Sequence, residues 1–495
     1  MNDRERFEQW EKKTGALGYA LSLHGLDANN RPPQEGRTYR EAMASVLAAE
    51  KFSLEHDPKI FEVLKRLNEA ADTDPVLRRK TQLHLRNLSR TALVPEDEYI
   101  AWRKALAESI AAWLRYRNTG DWKSYAPYLR DLVDAHIHMN SYRLKDGEDL
   151  YDVLLDDHEP GWNTKRYDAF FTRAAGTSKE VLQAAAKEEI DDSFLHRFCP
   201  ADLQRGYMPE VLSYMGFTEA WGKIGESEHP LTTALTAGDV RFTTKNREND
   251  VSAAILSSVH EIGHAWFGHN VDPAYEGSII ARSISAGLHE SQSRLYENHL
   301  GRSLSFWKYH LPKLQGVFPE QLNGITPEQF TRALNKAEPT LIRTQADEVT
   351  YPLHILIRYE IEKMMFSKNA DILHLDEVWN EMYGQYLGLD VPDASQGIMQ
   401  DMHWPYAYFG YFPTYALGSA FAAQFYEALA EDVDVGLLLE TGETAQIFRW
   451  LKEHVQHWAA FISSDEIIRA ATGRDFDIDI WCRYIKDKYS GIYRL

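Results

Sequence analysis

Cysteine is nearly missing from this chain of 495 residues: only Cys199 and Cys482 occur, and neither sits in a CxxC or Cys/His zinc spacing. Two isolated thiols exclude a disulfide framework and fit a reducing compartment. Long apolar runs are also lacking. No segment has the 18 uninterrupted apolar residues of a membrane span, and Met1-Asn2-Asp3-Arg4-Glu5-Arg6 leads into a polar stretch without a signal core. A cytoplasmic protein that does not enter membranes is therefore the expectation. Positive charge is in short supply: 54 Lys and Arg face 74 Asp and Glu, for a net charge of −20. That balance argues against a nucleic-acid partner, because phosphate contacts need a basic surface. Fixed-period repeats, low-complexity tracts and long Pro/Gly/Ser linkers are absent too, which leaves a single domain over 1–495 as the simplest organisation.

Hydrophobic residues make up 44% of the chain and charged residues 26%, a mixture that buries a core rather than staying disordered. From Arg4 to about Ile190 the apolar residues recur at helical spacing, as at Ala42, Val46, Leu47 and Ala49, with prolines and glycines at intervals suited to helix ends. The texture changes between His229 and Asn246, where Val240-Arg241-Phe242-Thr243-Thr244 reads as part of a short hairpin or an edge strand. Helical texture resumes with Asp250 as N-cap of a helix over Val251 to Phe267 and runs on, with breaks around Gly316 to Pro327 and Asp390 to Tyr415. A mainly α fold with a small β-sheet follows.

His260-Glu261-Ile262-Gly263-His264 is an H-E-x-x-H motif inside an apolar helix. Positions i and i+4 share one helix face, so both imidazoles reach one Zn²⁺, and Glu261 is placed to act as general base toward the activated water. The alternative is a pair of core histidines on an amphipathic helix, and a third ligand decides between them. The metzincin pattern is excluded, because Phe267 and Asn270 stand where it requires Gly and His. Glu290, 26 positions after His264, lies in a helical stretch from about Ser278 to Leu300. Spacing favours it and leaves Glu276 and Glu297 open, the latter read equally well as a solvated residue.

Six segments in order carry a resemblance: His229-Pro230, Asp239-Val240-Arg241-Phe242-Thr243, the His260 to His264 motif, His289-Glu290-Ser291-Gln292, Ile342-Arg343-Thr344-Gln345-Ala346-Asp347, and Gly397-Ile398-Met399-Gln400-Asp401-Met402-His403-Trp404. With them the chain resembles the carboxypeptidase Taq (M32) metallocarboxypeptidases. The resemblance implies a large helical body of two lobes with a deep central cleft, similar to neurolysin and angiotensin-converting enzymes. It also implies Glu290 as third ligand, zinc or cobalt as the metal, and a homodimer. Leu231 departs from the family, which usually has Phe after His-Pro, so the adjoining apolar contact is reshaped. The expected reaction is metal-dependent hydrolysis of the C-terminal peptide bond of peptides with a free C-terminus, through a zinc-activated water.

Such a reaction needs a donor for the developing oxyanion besides the metal, and His403 and Tyr411 are the candidates. The tyrosines from Tyr406 to Tyr415 also read as a packed aromatic wall, and His403 as a core histidine held by Asp401. Cutting only at a C-terminus calls for a cation that reads the terminal carboxylate. Arg343 suits it, with an ion pair to Asp347 as the structural alternative. Asp239 and Arg241 on the edge strand, and His229, are candidate substrate contacts. His289 reads either as a partner of the metal ligands or as facing away, and His269 as structural.

Overall fold

Asp57-Pro58 and Asp74-Pro75 each open a helix in the same way, and show how local chemistry sets boundaries in this chain. The aspartate side chain accepts a hydrogen bond from Lys59 N in Pro58–Glu69 and from Leu77 N in Pro75–Ser89, while proline occupies the first helical position, whose N–H has no partner in any helix. The computed structural model describes residues 1–29, 33–70, 74–368 and 370–493. They form a mainly helical fold with one three-stranded sheet.

Long helices fill the first half as expected, among them Asp3–Asn29, Arg37–Glu55, Glu96–Tyr116 and Thr164–Ala185. Phe7, Trp10, Val63, Leu64, Leu77 and Leu88 make a small apolar core of their own there, distinct from the main core that runs from Ala112 to Tyr493.

The sheet departs from a simple hairpin. β1 (Gly222–Glu226), β2 (Thr232–Thr236) and β3 (Asp239–Thr244) are ordered β1-β3-β2. β1 runs parallel to β3 with Gly222 opposite Val240, and β2 antiparallel with Thr232 opposite Phe242. The strand read as an edge is thus the central one. β1, which contains Gly222 and Gly225, lacks the β-branched signal that exposes β3 in sequence. Val240 and Phe242 point inward and are buried, as period-2 alternation requires.

Helix Ala253–His269 starts two residues later than expected, because Asp250 caps a turn at Val251 and Ser252 and accepts from Ala253 N at 3.0 Å. Ile255, Val259 and Ile262 are buried in it, each contributing about 1.5–3 kcal/mol over exposure. The stretch from Ser278 to Leu300, read as one helix, breaks into three pieces: Ile279–Arg282, Ala286–Arg294 with Ser285 as N-cap, and a π-helical turn at Leu295–Gly301. Two glycines permit the crossing of these elements. A Cβ at Gly263 would lie 2.6 Å from Gln292 O, and one at Gly418, in helix Pro413–Asp432, would lie 2.8 Å from Glu290 Cβ. Any larger residue would push the three helices apart.

Candidate metal and active site

Because Gly263 lets helix Ala286–Arg294 press against Ala253–His269, Glu290 meets the two histidines. One ligand atom each from His260, His264 and Glu290 lie within 4.8 Å of one another, the only such group of three or more His, Cys, Asp or Glu ligands among the described residues. His264 Nε2 is 3.4 Å from Glu290 Oε2. Two ligands of a tetrahedral zinc at about 2.0–2.1 Å stand about 3.4 Å apart, so this edge fits such an ion.

The remaining ring nitrogens are engaged. His260 Nδ1 donates to Glu297 Oε2 at 2.9 Å, and His264 Nδ1 lies 2.7 Å from His289 Nδ1. Each bond fixes its ring and leaves Nε2 facing inward. Glu297 is accordingly neither a third ligand nor a solvated residue. Its side chain is 15% exposed and is also bound by Arg302 at 3.1 Å. The π turn supplies its position, one that α-helical phasing did not foresee. The His289 ring stacks on that of His264 with centroids 4.6 Å apart, and burial followed by the charge of His264 pushes its pKa down to about 3, so it stays neutral.

Burial on its own would raise the carboxyl of Glu290. Arg294, which donates Nε to Oε1 at 2.7 Å, the bond to His264 and the histidine charges outweigh it and hold Glu290 far below the usual range. His260 shows the converse: burial disfavours its charge, but the bond to Glu297 and the charges of Glu290, Glu297 and Glu261 raise its pKa. Three carboxylates around two imidazoles make a pocket that favours a cation.

Glu261 is buried and accepts from Thr232 Oγ1 at 2.5 Å. Thr232, on β2, carries no sequence signal for this contact. His229 lies exposed in the loop three residues earlier, where its carbonyl accepts from Ser227 Oγ. Asp239 and Arg241 lie on the central strand and bind each other through two hydrogen bonds of 2.8 Å. β2 forms one edge of the sheet, and Ala234 to Ala237 line a groove of about 950 Å³ together with Tyr19 and Gly15 of the first helix.

Arg343 is buried and reaches Asp401, not Asp347. Its Nε and Nη2 donate to Asp401 Oδ1 at 3.0 and 2.8 Å, and Nη1 to Tyr351 Oη at 3.1 Å. Asp347 instead accepts from Val349 N and Thr350 N ahead of helix Tyr351–Met365. Arg358 grips the other oxygen of Asp401 at 2.7 Å. Arg343 is tied back to the metal ligands through Tyr351, whose ring lies 4.3 Å beneath the Arg294 guanidinium.

His403 is not hydrogen-bonded to Asp401. Its Nε2 lies 3.0 Å from Tyr415 Oη, and its buried Nδ1 has no partner among the described residues. Burial, then Arg343, push its pKa down to about 3. Tyr411 is raised by burial and by Glu290, and no hydrogen bond engages its hydroxyl among the described residues. The segment bearing both is anchored by Glu362, which accepts from Trp404 Nε1 at 2.7 Å and Gly410 N at 2.8 Å. His269 is structural, with Nδ1 on Ala237 O at 2.7 Å and its ring stacked on Trp221.

Comparison with known proteins agrees with this geometry. The family described as carboxypeptidase Taq (M32) metallopeptidase matches residues 6–489. Carboxypeptidase 1 of Bacillus subtilis is 33% identical over 488 residues, covering 98% of this chain and 97% of that one. Thermostable carboxypeptidase 1 of Thermus thermophilus is 31% identical, covering 98% of each. The crystal structure of the M32 carboxypeptidase from Deinococcus radiodurans superposes with a TM-score of 0.95 at 29% identity, covering 100% of both chains.

Proposed function

Since the chain belongs to the carboxypeptidase Taq (M32) metallopeptidases and is thus a metal-dependent carboxypeptidase acting on peptides, we propose that His260, His264 and Glu290 hold the metal and Glu261 is the general base. The observation that carries the reading is the 3.4 Å edge between His264 Nε2 and Glu290 Oε2, with the Nδ1 atoms of both histidines already engaged. A His₂Glu donor set suits zinc, with cobalt as the alternative, and a divalent ion held by these three residues would supply Lewis acidity toward a water and the scissile carbonyl.

Glu261 does the proton transfer. Thr232 occupies Oε2, which leaves Oε1 to accept the proton of the attacking water and deliver it to the leaving amine. Tyr411 donates its unengaged hydroxyl to the developing oxyanion, and neutral His403 backs the same wall through Tyr415. Arg343 reads the terminal carboxylate. A guanidinium has five N–H groups, and three of those on Arg343 are used, which leaves one on each terminal nitrogen, the fork that a carboxylate fits. Arg358 cannot serve: it is fully buried and spreads its donors over Asp401, His354 and Gln400.

The Asp239–Arg241 pair and His229 contact the peptide near β2, whose free edge accepts an extended chain. A cytoplasmic homodimer of single-domain subunits completes the reading. Among the described residues no helix is long and apolar enough to cross a membrane.

The test is hydrolysis of a free peptide beside its C-terminally amidated twin, with Glu261→Gln and a chelated, zinc-restored sample in parallel. Stepwise loss of C-terminal residues from the free peptide alone, abolished by the substitution and by chelation, is expected. Cleavage of both peptides would remove Arg343 from its role, and full activity of Glu261→Gln would remove the general base.

A further inference from the structure

A second cavity, of about 240 Å³, lies between helix Pro75–Ser89, the turn at Asp157 to Pro160, the segment Arg282 to Ser285 and the loop Ala459 to Ser464. Four arginines line it, Arg79, Arg86, Arg90 and Arg282, against one acid, Asp157. In a chain of net charge −20 this concentration of one sign is not a sample of the average surface.

Part of the charge has a structural explanation. Arg86 pairs with Asp156 at 2.8 Å, and Asp157 is shared by Arg90 at 3.1 Å and by Arg143. The remainder does not. Arg79 donates Nε to Ala460 O at 2.7 Å and has no ion pair among the described residues. Arg282, exposed at the mouth where this cavity meets the larger groove, has none either. Arg90 is only partly accounted for: its Nη2 donates to Asp157 O at 2.9 Å, while its buried Nε, though close to Asp157, makes no hydrogen bond. Desolvation followed by imperfect compensation lowers the pKa of Arg79 and Arg90, the cost of cations whose counter-charge is incomplete.

The volume would hold about eight waters at liquid density, enough for a hydrated oxyanion with three or four atoms around its centre. Planar guanidinium forks bind the oxygens of phosphate and carboxylate pairwise. We propose that this cavity is a binding subsite for a small oxyanion of the phosphate or carboxylate class, held by Arg79 and Arg282 with Arg86 and Arg90 behind them. Its occupant would bear on the reacting groups through two contacts. His158 lines the cavity and packs edge-on against the Tyr411 ring at 5.1 Å, and Ser285 and Leu288, also in the wall, belong to the start of the helix that carries Glu290.

The experiment is calorimetric titration of the metal-loaded enzyme with inorganic phosphate at constant ionic strength, repeated on Arg79→Gln, Arg282→Gln, their double variant and Arg343→Gln. One saturable site per chain is expected, weakened at least tenfold in the double variant and unchanged in Arg343→Gln. Arg282→Gln removes an exposed side chain without an ion pair and so leaves folding intact, which keeps the test decisive should Arg79→Gln fail to fold. A second arm separates the two sources of oxyanion. If the site serves the substrate's own carboxylates, phosphate competes with acidic peptides and Arg282→Gln raises KM for those alone; if it serves a free anion, KM is indifferent. Absence of a saturable site together with unchanged KM values overturns the proposal, as does binding that survives the arginine substitutions or disappears in Arg343→Gln.

Discussion

His260 Nδ1 lies 2.9 Å from Oε2 of Glu297, a residue 37 positions away that only a π-helical turn aims at the motif helix. The carboxylate selects the tautomer of His260 that leaves Nε2 free, and it is itself held by Arg302 and Arg294. Glu297→Gln should therefore weaken metal binding by about 10–100-fold while leaving the three ligands in place. Competition with a chromogenic chelator measures this, and unchanged affinity would mean that the contact is packing alone.

Thr232 and Glu261 are coupled by the 2.5 Å hydrogen bond to Oε2. Thr232→Val should lower kcat about tenfold, with KM and metal affinity unaltered, because the base loses orientation and the ligands do not. Glu261→Gln should lower kcat by about 10²–10⁴ with the metal retained. Steady-state kinetics on metal-saturated protein separates the two, and a rise in KM alone for Thr232→Val would count against the coupling.

Asp401 lies between Arg343 and Arg358. Burial would raise its pKa, but the two arginines outweigh that and hold it far below the ordinary range. Asp401→Asn should cost about 3–5 kcal/mol at pH 7, since two buried cations lose their counter-charge. A depressed carboxyl contributes stability above its unfolded pKa of about 3.9 and loses it as pH falls toward the folded value. Urea unfolding should thus show a constant gap between variant and wild type above about pH 5, closing below about pH 4.

Glu362 behaves in the opposite sense. Burial pushes it up to about 7 despite its bonds to Tyr151, Trp404 and Gly410. Between the unfolded value of about 4.3 and about 7 the folded protein binds more protons, so this group makes stability fall as pH rises and has no further effect above 7. Relative to wild type, Glu362→Gln should gain stability from pH 5 to 7 and then level off. Buried histidines with depressed pKa pull the other way in both proteins and cancel in the difference. A flat difference across that window would show that Glu362 is ionised throughout.

Helical texture, the small sheet and the family resemblance were legible because each rests on patterns within a few residues. The i, i+4 spacing of His260 and His264 is likewise a property of one helix. Other features were not legible in this way. β1 has glycines where a strand signal would be, and the continuous helix expected from Ser278 to Leu300 gives way to a capped break at Ser285 and a π turn.

The sequence by itself determined which side chains share a helix face with the metal motif and that such a motif sits in an apolar helix. Tertiary structure alone decided their partners. Arg343 pairs with Asp401, 58 residues away, instead of Asp347, four away, because Asp347 spends its oxygens on the backbone amides ahead of helix Tyr351–Met365. Thr232 reaches Glu261 because β2 lies over the motif helix at Gly268, where a Cβ would stand 2.6 Å from that of Ala234. Spacing in sequence constrains only neighbours along one element. Contacts across elements depend on how closely backbones approach, and small residues at the crossings permit that approach.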